Sequence, residues 1–321
     1  MKAVRIFEYG SPDVLKLVET ERPVPAPDEI LIQVYASAVN PIDRKIRDGR
    51  IVDRLHVKIQ LPLTPGWDTA GVVEAVGSEV RNFKKGDSVY GIPNFPGQGS
   101  YAEYVAAKAG KFALKPKSIR FNEAAAVPVS AVTAWDGVFH SGHLQAGQRI
   151  LIHGAAGNVG RFAVQFARWK GAYVIGTASA ANIDRVKQLG ADEVIDYKSQ
   201  AFEEMVKNVD VVFDAAALGY ETHRKSIPLL NENGTLVTTQ GFPLSPEVIE
   251  ALAQRRAHGK VIYGEEKIQQ WLTDIARLID ENHVNVMIGK VYPLEHARDA
   301  HQYSEQEKTD GKVVLEVRKE N

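Results

Sequence analysis

Two hydrophobic periods share this chain, and the change between them divides it. Over roughly the first 120 residues the apolar positions come in short alternating runs, broken repeatedly by Pro and Gly. Ala3 to Phe7, Leu15 to Glu19, Ile30 to Ala36, Ala70 to Val76, Ser88 to Tyr90 and Tyr101 to Ala106 read as strands. The charged stretch Asp43 to Gly49 reads as a helix. From Asn122 the spacing lengthens, and a helical tendency runs through Thr133-Ala134-Trp135 to about His140. Strands at Arg149 to His153, Tyr173 to Thr177, Glu193 to Ile195, Asp210 to Phe213 and Thr235 to Thr239 then alternate with helical segments, among them Ile183 to Leu189 and Ala201 to Val206, and Val261-Ile262-Tyr263 follows. That alternation predicts a parallel, doubly wound α/β sheet. Ile268, Trp271, Leu272, Ile275, Leu278 and Ile279 share one face of a predicted helix over 267–281, and Lys312 to Val317 makes a last strand.

The most informative stretch is the turn between the first of those strands and its helix. Ile150-Leu151-Ile152 is followed at once by Gly154-Ala155-Ala156-Gly157-Asn158-Val159-Gly160, then by Val159, Phe162, Ala163, Phe166 and Ala167 at helical spacing, with Gly171 as the stop. A pyrophosphate is held at such a place because unpaired N–H groups and the helix dipole face it. Glycines let the backbone turn, approach the phosphate and bring helix onto strand; Gly157 and Gly160 take the second and third of these positions and Ala155 the first. The predicted cofactor contacts are Ala155, Ala156, Gly157, Asn158, Val159 and Gly160. An NAD site usually carries Asp or Glu at the end of the second strand. Here Gly176-Thr177-Ala178-Ser179 stands there and no acid follows before Asp184. Ser179, Asn182 and Arg185 suit a 2′-phosphate instead, so NADP (NADPH) is the expected cofactor.

Composition narrows the classes further. The 321 residues suffice for two domains, and a net charge of −1 argues against nucleic acid or an anionic membrane as the main partner. No apolar run approaches the length of a membrane span, and the first residues enter directly into the alternating pattern with no signal segment. Cysteine is absent, which removes disulfides, thiolate metal sites and cysteine nucleophiles together. A cytoplasmic location is the expectation.

Several ordered stretches carry a family resemblance over nearly the whole chain: MKAVRIFEYGSPDVLKL, ASAVNPIDRKIRDG, PGWDTAGVVEAVGSEVRNFKKGDSVYG, GSYAEYV, AAVPVSAVTAW, HGAAGNVG and DGKVVL. The chain resembles the zinc-independent quinone oxidoreductase branch of the medium-chain dehydrogenase/reductase superfamily, the branch that includes zeta-crystallin. The resemblance implies a Rossmann sheet inserted into a GroES-like β-rich catalytic domain. Residues 1–121 and 265–321 would form the catalytic domain and 122–264 the NADP-binding domain. It implies as well a catalytic cleft between the domains and a homodimer. The zinc branch places Cys, His and a further Cys or Asp at its catalytic metal; those positions hold Asn40, Trp67 and Val129 here, and no metal is expected. His140 and His143 are close in sequence but have no Cys or acid to complete a set, and read as a surface loop.

Hydride delivery to a carbon that is already electrophilic needs no metal, and quinones and α,β-unsaturated carbonyls qualify. Their developing oxyanion must then be stabilised by the protein. Asn40 and Lys45 are the candidates for that work. Asn40 to Arg47, NPIDRKIR, matches the enone- and alkenal-reducing relatives, whereas a Tyr often stands at position 45 in the zeta-crystallin-like members. Asp43 reads as a local cap, and Trp67 as space-filling or pocket-lining. From the resemblance, Thr133 and Gly241 would lie near the nicotinamide, Tyr197 near the adenosine 2′-phosphate, and Ala216, between Ala215 and Ala217, beside the cofactor. Loops 50–62, with His56, and 92–99 would line the pocket. Two other readings stay open: an NADPH-binding protein with a structural or regulatory role, and an enoyl-thioester reductase.

Overall fold

The computed structural model describes residues 1–50, 59–262, 267–306 and 310–320. His56, most of the 50–62 loop and Tyr263 lie outside the described residues. The chain forms two compact units: Met1–Val129 with Lys267–Asn321, and Ser130–Glu266.

The first unit is built on the strand Glu29–Ala38. Its alternating side chains bury Ile30, Ile32, Val34, Ala36 and Ala38. It pairs antiparallel with Thr69–Val76 along one edge, and with Tyr104–Lys108 and Lys312–Glu316 along the other. Ser88–Gly91 and Phe112–Leu114 extend the sheet past Thr69–Val76, and Ile288–Pro293 lies parallel to Lys312–Glu316. The end of the chain thus completes a sheet begun near its start. Lys2–Arg5 and Lys16–Glu19 make a separate antiparallel pair. The helix Ile268–Asp280 buries all six apolar residues its spacing predicts, and Tyr90 Oη donates to the carbonyl of Leu272 at 2.6 Å.

The helical stretch expected from Asn122 to about His140 is three pieces: Phe121–Ala125, Pro128–Trp135, and a wide turn at Asp136–His140. Pro128 has no backbone N–H with which to extend the first piece, but suits the start of a second. A Cβ on Gly137 would lie 2.4 Å from the ring of Phe213, so the wide turn sits directly on a strand of the second unit's sheet. The boundary between units falls after Val129 rather than after residue 121. The reason is packing: Phe121 stacks on Tyr35 with ring centroids 4.3 Å apart, its N–H bonds Glu320, and Asn122 bonds Glu316.

The second unit holds six parallel strands in the order Glu193–Asp196, Tyr173–Ala178, Arg149–His153, Val209–Asp214, Leu230–Thr238, His258–Val261. The order reverses between Arg149–His153 and Val209–Asp214, and a doubly wound sheet binds its ligand at the carboxyl ends of the strands at such a reversal. Leu151, Ile175, Ile195, Val212 and Leu236 form the sheet's core. The helix Asn158–Lys170 covers one face with Phe162, Ala163, Phe166 and Ala167 buried, and Gly171 stops it in the left-handed region at φ 84°. No described helix is long and apolar enough to cross a membrane.

Candidate active site

The glycine turn stands at the reversal point of the second unit's sheet. Gly154 leaves the strand at φ 70°, and a Cβ there would meet that of Ala216 at 2.7 Å. Ala216, at the end of the neighbouring strand, is therefore brought against the turn. Gly157 is the N-cap of the Asn158–Lys170 helix, and Arg161 Nε donates to the carbonyl of Ala156 at 2.7 Å, holding the turn from below. Gly160 is required by space: a Cβ would lie 2.2 Å from the carbonyl oxygen of Gly154 and 2.8 Å from Cα of Ala155. Ala155 in the first glycine position is compensated across the sheet, because its methyl faces Gly176, where a Cβ would come within 2.9 Å. Ala155 and Gly160 are buried and shape the turn, whereas Ala156, Gly157, Asn158 and Val159 keep accessible surface.

The end of the second strand gathers the groups expected around a 2′-phosphate. Asn182 Nδ2 donates to Ser179 Oγ at 3.1 Å, and Arg185 Nη1 donates to Asn182 Oδ1 at 2.9 Å. Tyr197 follows the adjacent strand, its N–H bonding the carbonyl of Ala178 at 3.2 Å and its side chain half exposed. Asp184 is exposed in the first turn of the Ile183–Gln188 helix. Gly241 adopts φ 74° just past Leu230–Thr238, and a Cβ there would meet nothing within 4 Å. Thr133 is half-buried on Pro128–Trp135, one helical turn before Gly137.

In the first unit, Asn40 is the N-cap of the helix Pro41–Arg47, on which Lys45 sits half-buried. Asn40 is 3% exposed, and both ends of its amide are engaged. Its Nδ2 donates to Asp68 Oδ2 at 2.8 Å, and its Oδ1 accepts from Lys312 Nζ. Lys312 also pairs with Asp68 Oδ2 at 2.9 Å, and Asp68 Oδ1 accepts the N–H of Val129 at 2.7 Å. Below the amide, Asp43 Oδ2 accepts the Asn40 N–H at 2.7 Å and the Tyr101 hydroxyl lies 3.2 Å from the same oxygen. The spacing of apolar residues does not show this cluster, and of its members the sequence marks only Asn40 as chemical. Its one trace in the sequence is a charged residue at the head of an apolar run: Lys312 opens the Val-Val-Leu of the last strand, and the structure buries it.

Residues 26–117 match the family described as "Alcohol dehydrogenase GroES-like domain", and residues 189–315 match "Zinc-binding dehydrogenase". The quinone oxidoreductase of Sus scrofa is 33% identical over 94% of this chain and 93% of its own. The chloroplastic NADPH-dependent alkenal/one oxidoreductase of Arabidopsis thaliana is 35% identical over 98% of this chain and 79% of its own. The structure of the Escherichia coli quinone oxidoreductase complexed with NADPH superimposes with a TM-score of 0.84 at 28% identity, covering 98% of this chain and 99% of that one. The chain belongs to the quinone oxidoreductase branch of the medium-chain dehydrogenase/reductase superfamily.

Zinc, in the name of one matching family, does not fit the residues that this oxidoreductase carries. The Asn40 amide oxygen already faces the Lys312 ammonium, which repels a second cation. The buried Trp67 indole lies edge-on to Phe95, and the Val129 side chain has no donor atom for a metal while its N–H goes to Asp68. Among the described residues no group of three or more His or acidic side chains is arranged to hold a metal.

Proposed function

We propose that this member of the quinone oxidoreductase branch is an NADPH-dependent reductase of quinones or α,β-unsaturated carbonyls. The observation that carries the cofactor choice is the Ser179–Asn182–Arg185 chain just past a strand whose own end bears no acid, where a guanidinium suits a 2′-phosphate; the Asp196 carboxylate on the adjacent strand is engaged by the Lys198 N–H and Ser199 Oγ. The acceptor class is supported by kinship with quinone and alkenal/one oxidoreductases. Ala156 to Val159 present the helix N-terminus to the pyrophosphate. Bound NADPH supplies the hydride. Thr133 and Gly241 are assigned to the nicotinamide, the latter because its open φ 74° backbone admits a ring without a side chain in the way.

On the acceptor side, Lys45 supplies the positive charge for the oxygen that becomes an enolate or quinol. Asn40 is held by the Asp68–Lys312 pair in one orientation, which leaves its second amide N–H for the same oxygen. The test is oxidation of NADPH and of NADH by purified protein with 1,4-benzoquinone and with a 2-alkenal. Arg185→Ala should raise the KM for NADPH by roughly tenfold, the worth of one charge-assisted bond, and leave NADH unchanged. Lys45→Ala should lower kcat with either acceptor. Binding of NADPH without turnover of either acceptor would sink the reductase reading.

A further inference from the structure

Under Asn40 lies a chain of buried polar groups that the proposed chemistry leaves without a task. Glu305 Oε1 accepts from Arg47 Nη1 at 2.6 Å, and the same Nη1 lies 3.0 Å from His301 Nδ1. His301 Nε2 is 3.1 Å from the Tyr101 hydroxyl, which is 3.2 Å from Asp43 Oδ2. One chemical fact orients every link. A guanidinium has only donors, so His301 Nδ1 must accept, which puts the ring proton on Nε2. Nε2–H then donates to the Tyr101 oxygen, and the Tyr101 O–H is left to donate to Asp43. The chain runs one way, from Arg47 to Asp43. Burial holds the His301 pKa down to about 3, with the Arg47 charge acting in the same direction, which agrees with the neutral ring this orientation needs.

Charges facing Asp43 balance without it. Lys312 is matched by Asp68 at 2.9 Å and Arg47 by Glu305 at 2.6 Å, while Tyr101 and His301 are neutral. Arg44 also reaches Glu305, at 3.8 Å on the surface. An ionised Asp43, 0% exposed, would therefore be a buried charge without a counter-charge of its own. We propose that Asp43 is a positioning residue of the acceptor site, neutral in the working enzyme, whose ionisation acts through Asn40 to oppose charge developing on the acceptor oxygen. This inference rests on the reductase reading. Its bond to the Asn40 N–H places the carboxyl directly beneath the residue assigned to that oxygen, at the start of the helix that carries Lys45. Burial pushes the Asp43 pKa up to about 7, Asp68 adds to the rise, and the Asn40 N–H, Lys312 and Tyr101 hold it back. The group thus changes charge across the neutral range.

The experiment is the pH profile of kcat with NADPH and 1,4-benzoquinone, paired with infrared difference spectra of the resting protein. With a pKa near 7, the neutral fraction and kcat fall roughly tenfold between about pH 6 and about pH 8. Asp43→Asn keeps a carbonyl oxygen for Asn40 and Tyr101 but cannot ionise, so its profile should be flat over that range. Tyr101→Phe removes a donor to the carboxylate and should move the inflection to higher pH, a shift that a purely structural role does not produce. A protonated-carboxyl stretch should titrate with the same midpoint in the parent and be missing from Asp43→Asn. Turnover with a flat parental profile, or a profile unchanged in Asp43→Asn, overturns the role of Asp43 and leaves the reductase reading standing. A titrating band in a protein that reduces neither acceptor overturns the reductase reading, and with it the role in turnover, while retaining the ionisation of Asp43.

Discussion

Replacing Lys312 by Met isolates what the buried ion pair contributes to the first unit. Methionine has a similar length and no charge, so the change removes the ammonium while keeping most of the packing. Lys312 and Asp68 side chains are 2% and 0% exposed and 2.9 Å apart. At an effective dielectric of about 20, their attraction is roughly 6 kcal/mol. Not all of it is lost, because Asp68 keeps the N–H groups of Asn40 and Val129, at 2.8 and 2.7 Å. Breaking one partner of a buried pair typically costs about 3–5 kcal/mol, most of it the penalty on the charge left behind. The same range is expected here. Hydrogen exchange of peptides covering Glu29–Ala38 and Lys312–Glu316 along a urea titration would measure it, because it reads the first unit by itself. Lys312→Met with Asp68→Asn removes both charges and should recover at least half of the loss. A single-variant loss under about 1 kcal/mol, or a double variant as unstable as the single, would refute the reasoning.

Gly160→Ala tests the glycine turn: its Cβ would press on the backbone of Gly154 and Ala155, 2.2–2.8 Å away, so the turn must shift. A melting scan should show a loss of about 1–3 kcal/mol, and NADPH titration a weaker affinity than that of the parent. Asp43 makes a separate prediction about stability. Its pKa rises on folding from 3.8 to about 7, so the folded state retains a proton that the unfolded chain gives up. That contribution is complete below about pH 4 and lost as pH rises through about 7, an order of 4 kcal/mol at most. The stability of the parent relative to Asp43→Asn should therefore fall across that window in urea titrations at successive pH values. His301 acts oppositely in absolute stability, because its depressed pKa weakens the fold as pH falls below that of an ordinary His, but it cancels in the comparison. A constant difference between the two proteins would contradict a buried, neutral Asp43.

Local spacing made much of the second unit readable. Its strands are apolar runs bounded by glycine and polar turns, the helix Asn158–Lys170 carries Phe162, Ala163, Phe166 and Ala167 at helical spacing, and both features are set by neighbours a few residues away. The glycine turn was legible for the same reason, and so was the absence of an acid after Thr177. Ile288–Pro293 was not readable, because its side chains are mostly exposed and backbone pairing to Lys312–Glu316 defines it. The helical tendency expected from Asn122 to about His140 is divided into three pieces, with Pro128 opening the second and Gly137, in the third, packed close on Phe213.

The buried polar cluster around Asn40 shows where local pattern ends. Sequence alone determined the family, the doubly wound sheet and the glycine turn before the helix Asn158–Lys170, because glycine placement and hydrophobic period are short-range properties. The joining of Asn40, Asp43, Asp68, Tyr101, His301 and Lys312 into one hydrogen-bonded group was decided only by tertiary structure. Asn40 and Lys312 are 272 positions apart and Tyr101 and His301 are 200 apart. A polar side chain carries no periodic signal of its partner. Its meaning depends on whether burial removes water and on which donor the fold places beside it.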